Sequence, residues 1–142
     1  MKIDKLRLFV IVSAAFVFLD QLTKYLAAKS EVSIVLIKNF LSLIYTTNTG
    51  AGFSILQGRQ IFLILFSIIA LGIIIYYYRQ TPARWIPFTA MVFGGAMGNL
   101  IDRVIRGHVI DFISFSFWPS FNVADIGVML GVIGLVWMIW RS

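Results

Sequence analysis

The apolar block IFLILFSIIALGIIIYYY, residues Ile61–Tyr78, decides the fold because it contains no charged side chain. A helix needs about 20 such residues to cross roughly 30 Å of hydrocarbon. The block approaches that length and ends in the tyrosines Tyr76–Tyr78, which are typical of the level of the lipid headgroups. It therefore predicts a transmembrane helix.

The composition of the whole chain agrees with a membrane protein. Of the 142 residues, 60% are hydrophobic and 13% are charged, and the mean hydropathy is +0.92. A soluble domain carries about 25% charged residues, so this composition excludes a soluble globular protein. The net charge of +6 comes from cations scattered between apolar blocks, which favours membrane anchoring over nucleic-acid binding.

Two residue counts narrow the chemistry. The chain contains no cysteine, which excludes disulfides, thiolate catalysis and cysteine metal sites. Its one histidine, His108, disfavours a histidine-rich metal centre. We therefore expect neither a metal nor a cofactor.

Three further apolar blocks predict transmembrane helices at about residues 8–28, 85–101 and 123–140. The first follows a basic N-terminus like that of a signal peptide, but it lacks a cleavage motif of small residues before Asp20, so we expect a retained helix. Together with residues 61–78, these blocks predict an all-α membrane protein of four transmembrane helices in a single domain, residues 1–142.

Residues 30–58, between the first two predicted helices, have a different character. Short runs of β-branched and aromatic residues flank the polar pair Lys38-Asn39, and each run is too short to span a membrane. This pattern predicts a small β element at the extracytoplasmic surface. The segment from Arg103 to Asn122 is interpreted as a connection between the third and fourth helices.

The charge distribution bears on orientation. The Lys and Arg residues divide equally between the two predicted sides of the membrane. Because the first helix usually dominates orientation, the N-terminal cluster of Lys2, Lys5 and Arg7 predicts that both termini are cytoplasmic.

Acidic residues inside or beside membrane spans are costly, so each is a candidate for function. Asp20 and Lys24 lie four residues apart on one helical face, and either mutual neutralisation or a direct role at a site accounts for them. Asp102 has Arg106 at the same spacing, and we favour a structural ion pair there over catalysis.

Asp111 and Asp125 have no evident local cation. Two such carboxylates brought together near a low-dielectric boundary share one proton, because both cannot ionise a few Å apart. One then serves as a base that activates water, and the other as an acid that protonates a leaving amine. Asn122 is either a helix N-cap or a group that orients a carboxylate or a substrate carbonyl. Spacing alone leaves open whether Asp111 and Asp125 meet.

Five motifs follow one another along the chain: DQLTK at 20–24, NTGAGFS at 48–54, GGAMGNLIDR at 94–103, GHVIDF at 107–112 and FNVAD at 121–125. In this order, on four spans, they resemble the motif set of the bacterial lipoprotein signal peptidases (signal peptidase II). The resemblance covers nearly the whole chain. It implies an aspartic endopeptidase that removes the signal peptide of a prolipoprotein by cleaving just before a cysteine that carries diacylglycerol.

The resemblance also implies roles for individual residues. Asp111 and Asp125 match the two catalytic aspartates of the family's Val-x-Asp-Phe and Phe-Asn-x-Ala-Asp motifs. The family's supporting or substrate-binding positions are matched by Asp20, Lys24, Asn48, Gly50, Gly95, Asn99, Asp102, Arg103, Asn122 and Ala124. Gly52 departs from the family, which usually has alanine at that position.

The implied partners are diacylglyceryl-modified prolipoproteins and membrane lipid, with no nucleic acid, and we expect a monomer. The implied location is the bacterial cytoplasmic (inner) membrane, with the active site toward the outer face. Two other functions stay open. A small transporter or proton channel would use Asp20, Asp102, Asp111 and Asp125 along a polar path. Gly127, Gly131 and Gly134 recur at helical spacing, which is typical of a close-packing face, and a non-catalytic assembly subunit would use them as a docking face.

Overall fold

The structure is a computed structural model that describes residues 4–50 and 57–141. These residues form four α-helices and one four-stranded antiparallel sheet. The helices are α1 (Lys5–Ser30), α2 (Gln60–Tyr77), α3 (Ile86–Arg106) and α4 (Val123–Trp140). The strands are β1 (Ser33–Ile37), β2 (Leu41–Asn48), β3 (Val109–Phe115) and β4 (Trp118–Phe121).

Three helices in the described ranges are long and apolar enough to cross a membrane: Lys5–Ser30, Gln60–Gln80 and Val123–Trp140. They correspond to three of the four predicted spans. The third predicted span, residues 85–101, lies mostly in α3, which is not among the helices that are long and apolar enough to cross a membrane. α3 continues to Arg106 because the charged side chains of its last turns have protein partners, among them the pair of Asp102 with Arg106.

Small residues let α3 lie between α1 and α4. A Cβ added to Gly94 would lie 2.7 Å from the carbonyl oxygen of Ser13 in α1. On the other side, a Cβ at Gly131 of α4 would lie 2.6 Å from the carbonyl oxygen of Phe88 in α3. The close-packed glycine face predicted for the last helix is confirmed, since its members Gly127, Gly131 and Gly134 are all buried.

The sheet is larger than the sequence predicts. Its strand order is β1-β2-β3-β4, and only β1 and β2 come from the predicted β element at residues 30–58. Residues 103–122 connect the third and fourth helices as expected, but the sequence did not predict that this segment supplies β3 and β4. β3 lies between β2 and β4, and its first four residues are all buried, so its sequence lacks the alternation that marks a half-exposed strand.

The ends of the elements bring two distant segments to one end of the helices. Gly107 ends α3 in a left-handed conformation, with φ of 73°, and β3 begins at Val109. β4 ends at Phe121, and Asn122 caps the start of α4. The sheet therefore runs from the end of α3 to the start of α4 and places Asp111 of β3 near that start.

The helix packing gives a first prediction. Gly131→Ala is expected to destabilise the protein, because the added methyl group meets the Phe88 carbonyl, and overpacking of this kind costs roughly 1–3 kcal/mol. Gly72→Ala in α2 is the matched control, because a Cβ there meets nothing within 4 Å. Thermal unfolding in detergent should show a lower midpoint for the first variant and an unchanged or higher midpoint for the second. Equal midpoints would contradict the described packing.

Candidate active site

Asp111 lies on β3, one of the two inner strands of the sheet, and is 3% exposed. Its two carboxylate oxygens accept hydrogen bonds from two asparagines. Asn48 Nδ2 donates to Asp111 Oδ2 at 3.1 Å, and Asn122 Nδ2 donates to Asp111 Oδ1 at 2.7 Å. Asn48 reaches this position because it ends β2, where its backbone pairs with Val109. The pairing of β2 with β3 thus orients Asp111.

Asp125 is the third residue of α4 and forms a reciprocal capping box with Asn122. The Asp125 N–H donates to Asn122 Oδ1 at 3.0 Å, and the Asn122 N–H donates to Asp125 Oδ2 at 3.2 Å. Asn99 Nδ2 donates to the other carboxylate oxygen, Asp125 Oδ1, at 2.8 Å. Asp125 therefore lies in the first turn of α4, beside the partial positive charge of the helix N-terminus.

Asn122 joins the two carboxylates. Its side-chain oxygen caps α4 beside Asp125, while its side-chain nitrogen donates to Asp111 and also to the Ile110 carbonyl at 3.2 Å. Both interpretations offered by the sequence therefore hold, because Asn122 is an N-cap and also orients a carboxylate. The question left open by spacing is resolved, since one fully buried side chain connects Asp111 with Asp125.

Asp111 and Asp125 also line one cavity of about 680 Å³. Asn48, Asn99 and Arg103 supply further polar groups to its lining. Apolar side chains complete it: Leu63 and Phe66 from α2, Phe121 from β4, and Ile126 and Met129 from α4. The cavity therefore combines a small polar floor with apolar walls.

Arg103 connects the cavity to the segment after β2. Its Nη2 donates to the Gly50 carbonyl at 3.1 Å, and its Nη1 donates to the Asn99 carbonyl at 3.4 Å. The Gly50 N–H in turn donates to Asn48 Oδ1 at 2.8 Å, so the Asn48 amide is held with its nitrogen toward Asp111. Gly52, noted above as a departure from the family's usual alanine, lies outside the described residues.

Asp20 and Lys24 lie behind the cavity, and neither contributes to its lining. Lys24 Nζ is 2.8 Å from Asp20 Oδ2 and 2.9 Å from Asp102 Oδ2. Mutual neutralisation therefore accounts for Asp20 and Lys24, both fully buried. The predicted pair of Asp102 with Arg106 is present too, and Lys24 adds a second cation that the sequence did not indicate.

Gly95 and Ala124 lie where α3 meets the start of α4. Both are buried, and a Cβ on Gly95 would overlap the Ala124 carbonyl oxygen. The Ala124 N–H donates to Asp20 Oδ1 at 2.9 Å, so Asp20 ties α1 to the first turn of α4. These two small residues serve close packing next to Asp125.

Sequence reasoning missed Gln21, which links α1 to α3. Its Nε2 donates to Asp102 Oδ1 at 3.1 Å and to the Gly98 carbonyl at 3.2 Å, and its Oε1 accepts from Arg106 at 3.1 Å. An amide next to Asp20 inside a predicted membrane helix was the available signal, because polar groups there need partners. These contacts join six side chains into a polar cluster: Asp20, Gln21, Lys24, Asn99, Asp102 and Arg106.

The environment of Asp111 changes its proton affinity. The pKa of Asp111 is raised from 3.8 to about 6, first by burial and then by the nearby Asp125 carboxylate, while the hydrogen bonds from Asn48 and Asn122 act in the opposite direction. Asp111 thus keeps its proton at pH values where an ordinary aspartate is ionised. A pair in which one carboxyl holds a proton and the other is held as an anion can perform acid and base chemistry together.

The fold and this site define a multi-pass membrane hydrolase of the aspartic type. Residues 12–141 match the family model described as Signal peptidase (SPase) II. The chain belongs to the signal peptidase II family, which confirms the resemblance noted in its five motifs.

Relatives and solved structures agree with this membership. The lipoprotein signal peptidase of Caldanaerobacter subterraneus subsp. tengcongensis is 45% identical over 130 residues, which cover 87% of this chain and 90% of that protein. The lipoprotein signal peptidase of Halothermothrix orenii is 38% identical over 137 residues, covering 93% and 94%. A solved structure described as a bacterial membrane enzyme is 31% identical, with a TM-score of 0.87, over 94% of this chain and 87% of that one.

The proton affinity of Asp111 gives a second prediction. A carboxyl group keeps its proton below its pKa and loses it as the pH rises through that value. The infrared band of the protonated Asp111 carboxyl should therefore disappear near pH 6. Infrared difference spectra of the purified protein should show this step in the wild type. The Asp111→Asn variant should lack it, and Asp125→Asn should move it to lower pH by removing the neighbouring charge. An unchanged step in Asp111→Asn would assign the titration to another group.

Proposed function

We propose that the protein is an aspartic endopeptidase that removes the signal peptide from diacylglyceryl-modified prolipoproteins, cleaving before the lipidated cysteine. Asp111 and Asp125 are its catalytic pair in this proposal. The main supporting observation is that Asn122 connects these two carboxylates at a single cavity. The relatives are named lipoprotein signal peptidases, and for this reason the transporter and assembly-subunit alternatives are not adopted.

The two aspartates take different roles. Asp125 is at a helix N-terminus and accepts an amide N–H on each oxygen, which suits the anionic base. Asp111 has a raised pKa of about 6 and so holds a proton more readily than an ordinary aspartate, which suits the acid. Asp125 takes a proton from water as the water oxygen bonds to the scissile carbonyl carbon, and Asp111 gives its proton to the carbonyl oxygen.

Collapse of the tetrahedral intermediate completes the reaction. Asp125 gives its newly acquired proton to the leaving nitrogen as the C–N bond breaks, and the intermediate's hydroxyl returns a proton to Asp111. The products are the carboxyl terminus of the signal peptide and the free amino group of the lipidated cysteine. The pair ends in its starting protonation state, so the cycle needs no cofactor.

The cavity walls support a lipid-bearing substrate. Leu63 and Phe66 of α2 and Met129 of α4 border the cavity with apolar surface, and Phe66 and Met129 are themselves largely exposed on helices that would face lipid. A substrate whose signal helix and acyl chains lie in the bilayer would reach the aspartates by lateral diffusion, keeping the acyl chains in hydrocarbon. No soluble partner is required, and the enzyme would act as a monomer.

The proposed topology has four transmembrane helices with both termini in the cytoplasm. α3 is not among the three helices that are long and apolar enough to cross a membrane, but it packs between α1 and α4, so much of its surface contacts protein rather than lipid. Lys5 Nζ donates to the Thr81 carbonyl at 2.6 Å, which supports placing the N-terminus and the α2–α3 connection at one membrane face. The aspartates would then lie toward the outer face of the cytoplasmic membrane.

The catalytic assignment is tested by substitution. Asp111→Asn and Asp125→Asn should each lower cleavage of a lipidated prolipoprotein by roughly 10²–10⁴-fold, because an amide neither takes nor shares the proton. The double variant should be little worse than either single variant, since the pair acts as a unit. Asp4→Asn is the matched control, because Asp4 is exposed at the start of α1 and should keep wild-type turnover. Near-native turnover of a folded Asp111 or Asp125 variant would refute the assignment.

The topology is tested by labelling single cysteines introduced into this cysteine-free chain. Gln80 follows α2, Ser33 begins β1, and both are exposed. In intact cells a membrane-impermeant maleimide should label Ser33→Cys and should leave Gln80→Cys unlabelled until the membrane is permeabilised. The reverse pattern would put the aspartates on the cytoplasmic side and contradict the proposed orientation.

A further inference from the structure

Lys24 lies at the centre of the polar cluster and is fully buried. Its ammonium group has three acceptors within hydrogen-bond or ion-pair distance: Asp20 Oδ2 at 2.8 Å, Asp102 Oδ2 at 2.9 Å and Asn99 Oδ1 at 3.0 Å. A lysine ammonium has three N–H groups, so every donor is matched to an acceptor. The three acceptors come from α1 and α3, and Lys24 itself lies on α1.

Each of these three neighbours makes a second interaction that ends at the aspartate pair or beside it. Asp20 Oδ1 accepts from the N–H of Ala124, the residue before Asp125, at 2.9 Å. Asp102 Oδ2 accepts from the N–H of Ile110, the residue before Asp111, at 3.2 Å. The third connection is direct, because Asn99 Nδ2 donates to the Asp125 carboxylate at 2.8 Å.

The third connection also defines the orientation of an amide. Because Lys24 is a donor without acceptor capacity, Asn99 must present its oxygen to Lys24 and its nitrogen to Asp125. Asn122 Nδ2 donates to the same Asn99 oxygen at 3.2 Å, so Lys24 is the charged member of two donors that hold this orientation. Without Lys24 the Asn99 oxygen keeps only the neutral donor, and the amide nitrogen is held less firmly against Asp125.

We propose that Lys24 is a positioning residue that sets the separation and orientation of Asp111 and Asp125 from behind the cavity. This inference rests on the proposed function. Lys24 does not line the cavity, so it acts through Asp20, Asp102 and Asn99 rather than on the substrate. Through these neighbours Lys24 holds three groups in one arrangement: the N–H before Asp111, the N–H before Asp125, and one oxygen of the Asp125 carboxylate.

A charge-neutral double variant separates positioning from folding. In Asp20→Asn/Lys24→Met the net charge of the polar cluster is unchanged, Asp102 keeps Arg106, and the new asparagine oxygen can still accept the Ala124 N–H. The ammonium that organises the three neighbours is lost. We expect kcat per folded enzyme to fall on the order of 100-fold, as for a small misplacement of reacting groups, while KM for a lipidated prolipoprotein stays unchanged.

Lys5→Met is the matched control, because it removes another lysine of α1 that donates to a distant part of the chain, the connection between α2 and α3. Lys5 Nζ donates to the Arg79 and Thr81 carbonyls at the other end of α1, far in sequence from the aspartates. This variant should lower the unfolding temperature and leave kcat at the wild-type value. A double variant that behaved in the same way, with native kcat and reduced stability, would overturn the positioning role.

If Asp20→Asn/Lys24→Met gives no folded protein, Asp102→Leu/Arg106→Gln tests the same idea. It removes the acceptor of the Ile110 N–H and leaves Lys24 paired with Asp20, so the cluster stays neutral. The same loss in kcat at constant KM is expected, and native kcat would overturn the proposal. The wild-type protein is assayed in parallel, and its failure to cleave would refute the proposed function instead.

Discussion

Every buried charge in this protein must find its partner inside the protein, because lipid tails offer none. Asp20, Lys24 and Asp102 are fully buried, and an isolated buried ion is so costly that these three are stable only together. Their partners lie on α1 and α3, and Asp20 adds a contact to the first turn of α4. Satisfying these charges therefore fixes how three helices meet at the end where the sheet begins.

Close packing makes those contacts possible. Gly98 brings α3 so near to α1 that a Cβ there would lie 2.5 Å from Asp20 Oδ2, and Gly95 does the same against α4. Because α3 ends at Gly107 and β3 starts directly afterwards, Asp111 begins its strand next to the charges that hold α3. Asp125 arrives from α4, and Asn122 spans the remaining gap. The aspartate pair is thus a product of the helix packing rather than of any one element.

The sequence was informative wherever local pattern carries the structure. Hydropathy located four helices, because the length of an apolar segment is a local property. Helical spacing identified the pair of Asp20 with Lys24 and the glycine face of α4. The sequence pattern did not reveal β3 and β4, because a short buried strand shows no alternation of polar and apolar residues. These strands become evident only through the pairing of β3 with β2 in the sheet. The same limit applies to Lys24 with Asp102, a pair far apart in the chain. Asp111 and Asp125 were selected by their lack of local cations, and only the fold shows that they share a cavity.

The most direct measurement compares one prolipoprotein with and without its diacylglyceryl group as substrate for the purified protein. The apolar walls of the cavity and the position of the aspartates at the ends of the helices both favour a substrate held in the bilayer by its own acyl chains. The account predicts cleavage of the lipidated form alone, just before the modified cysteine. Equal cleavage of both forms, or of neither by a folded protein, would contradict it.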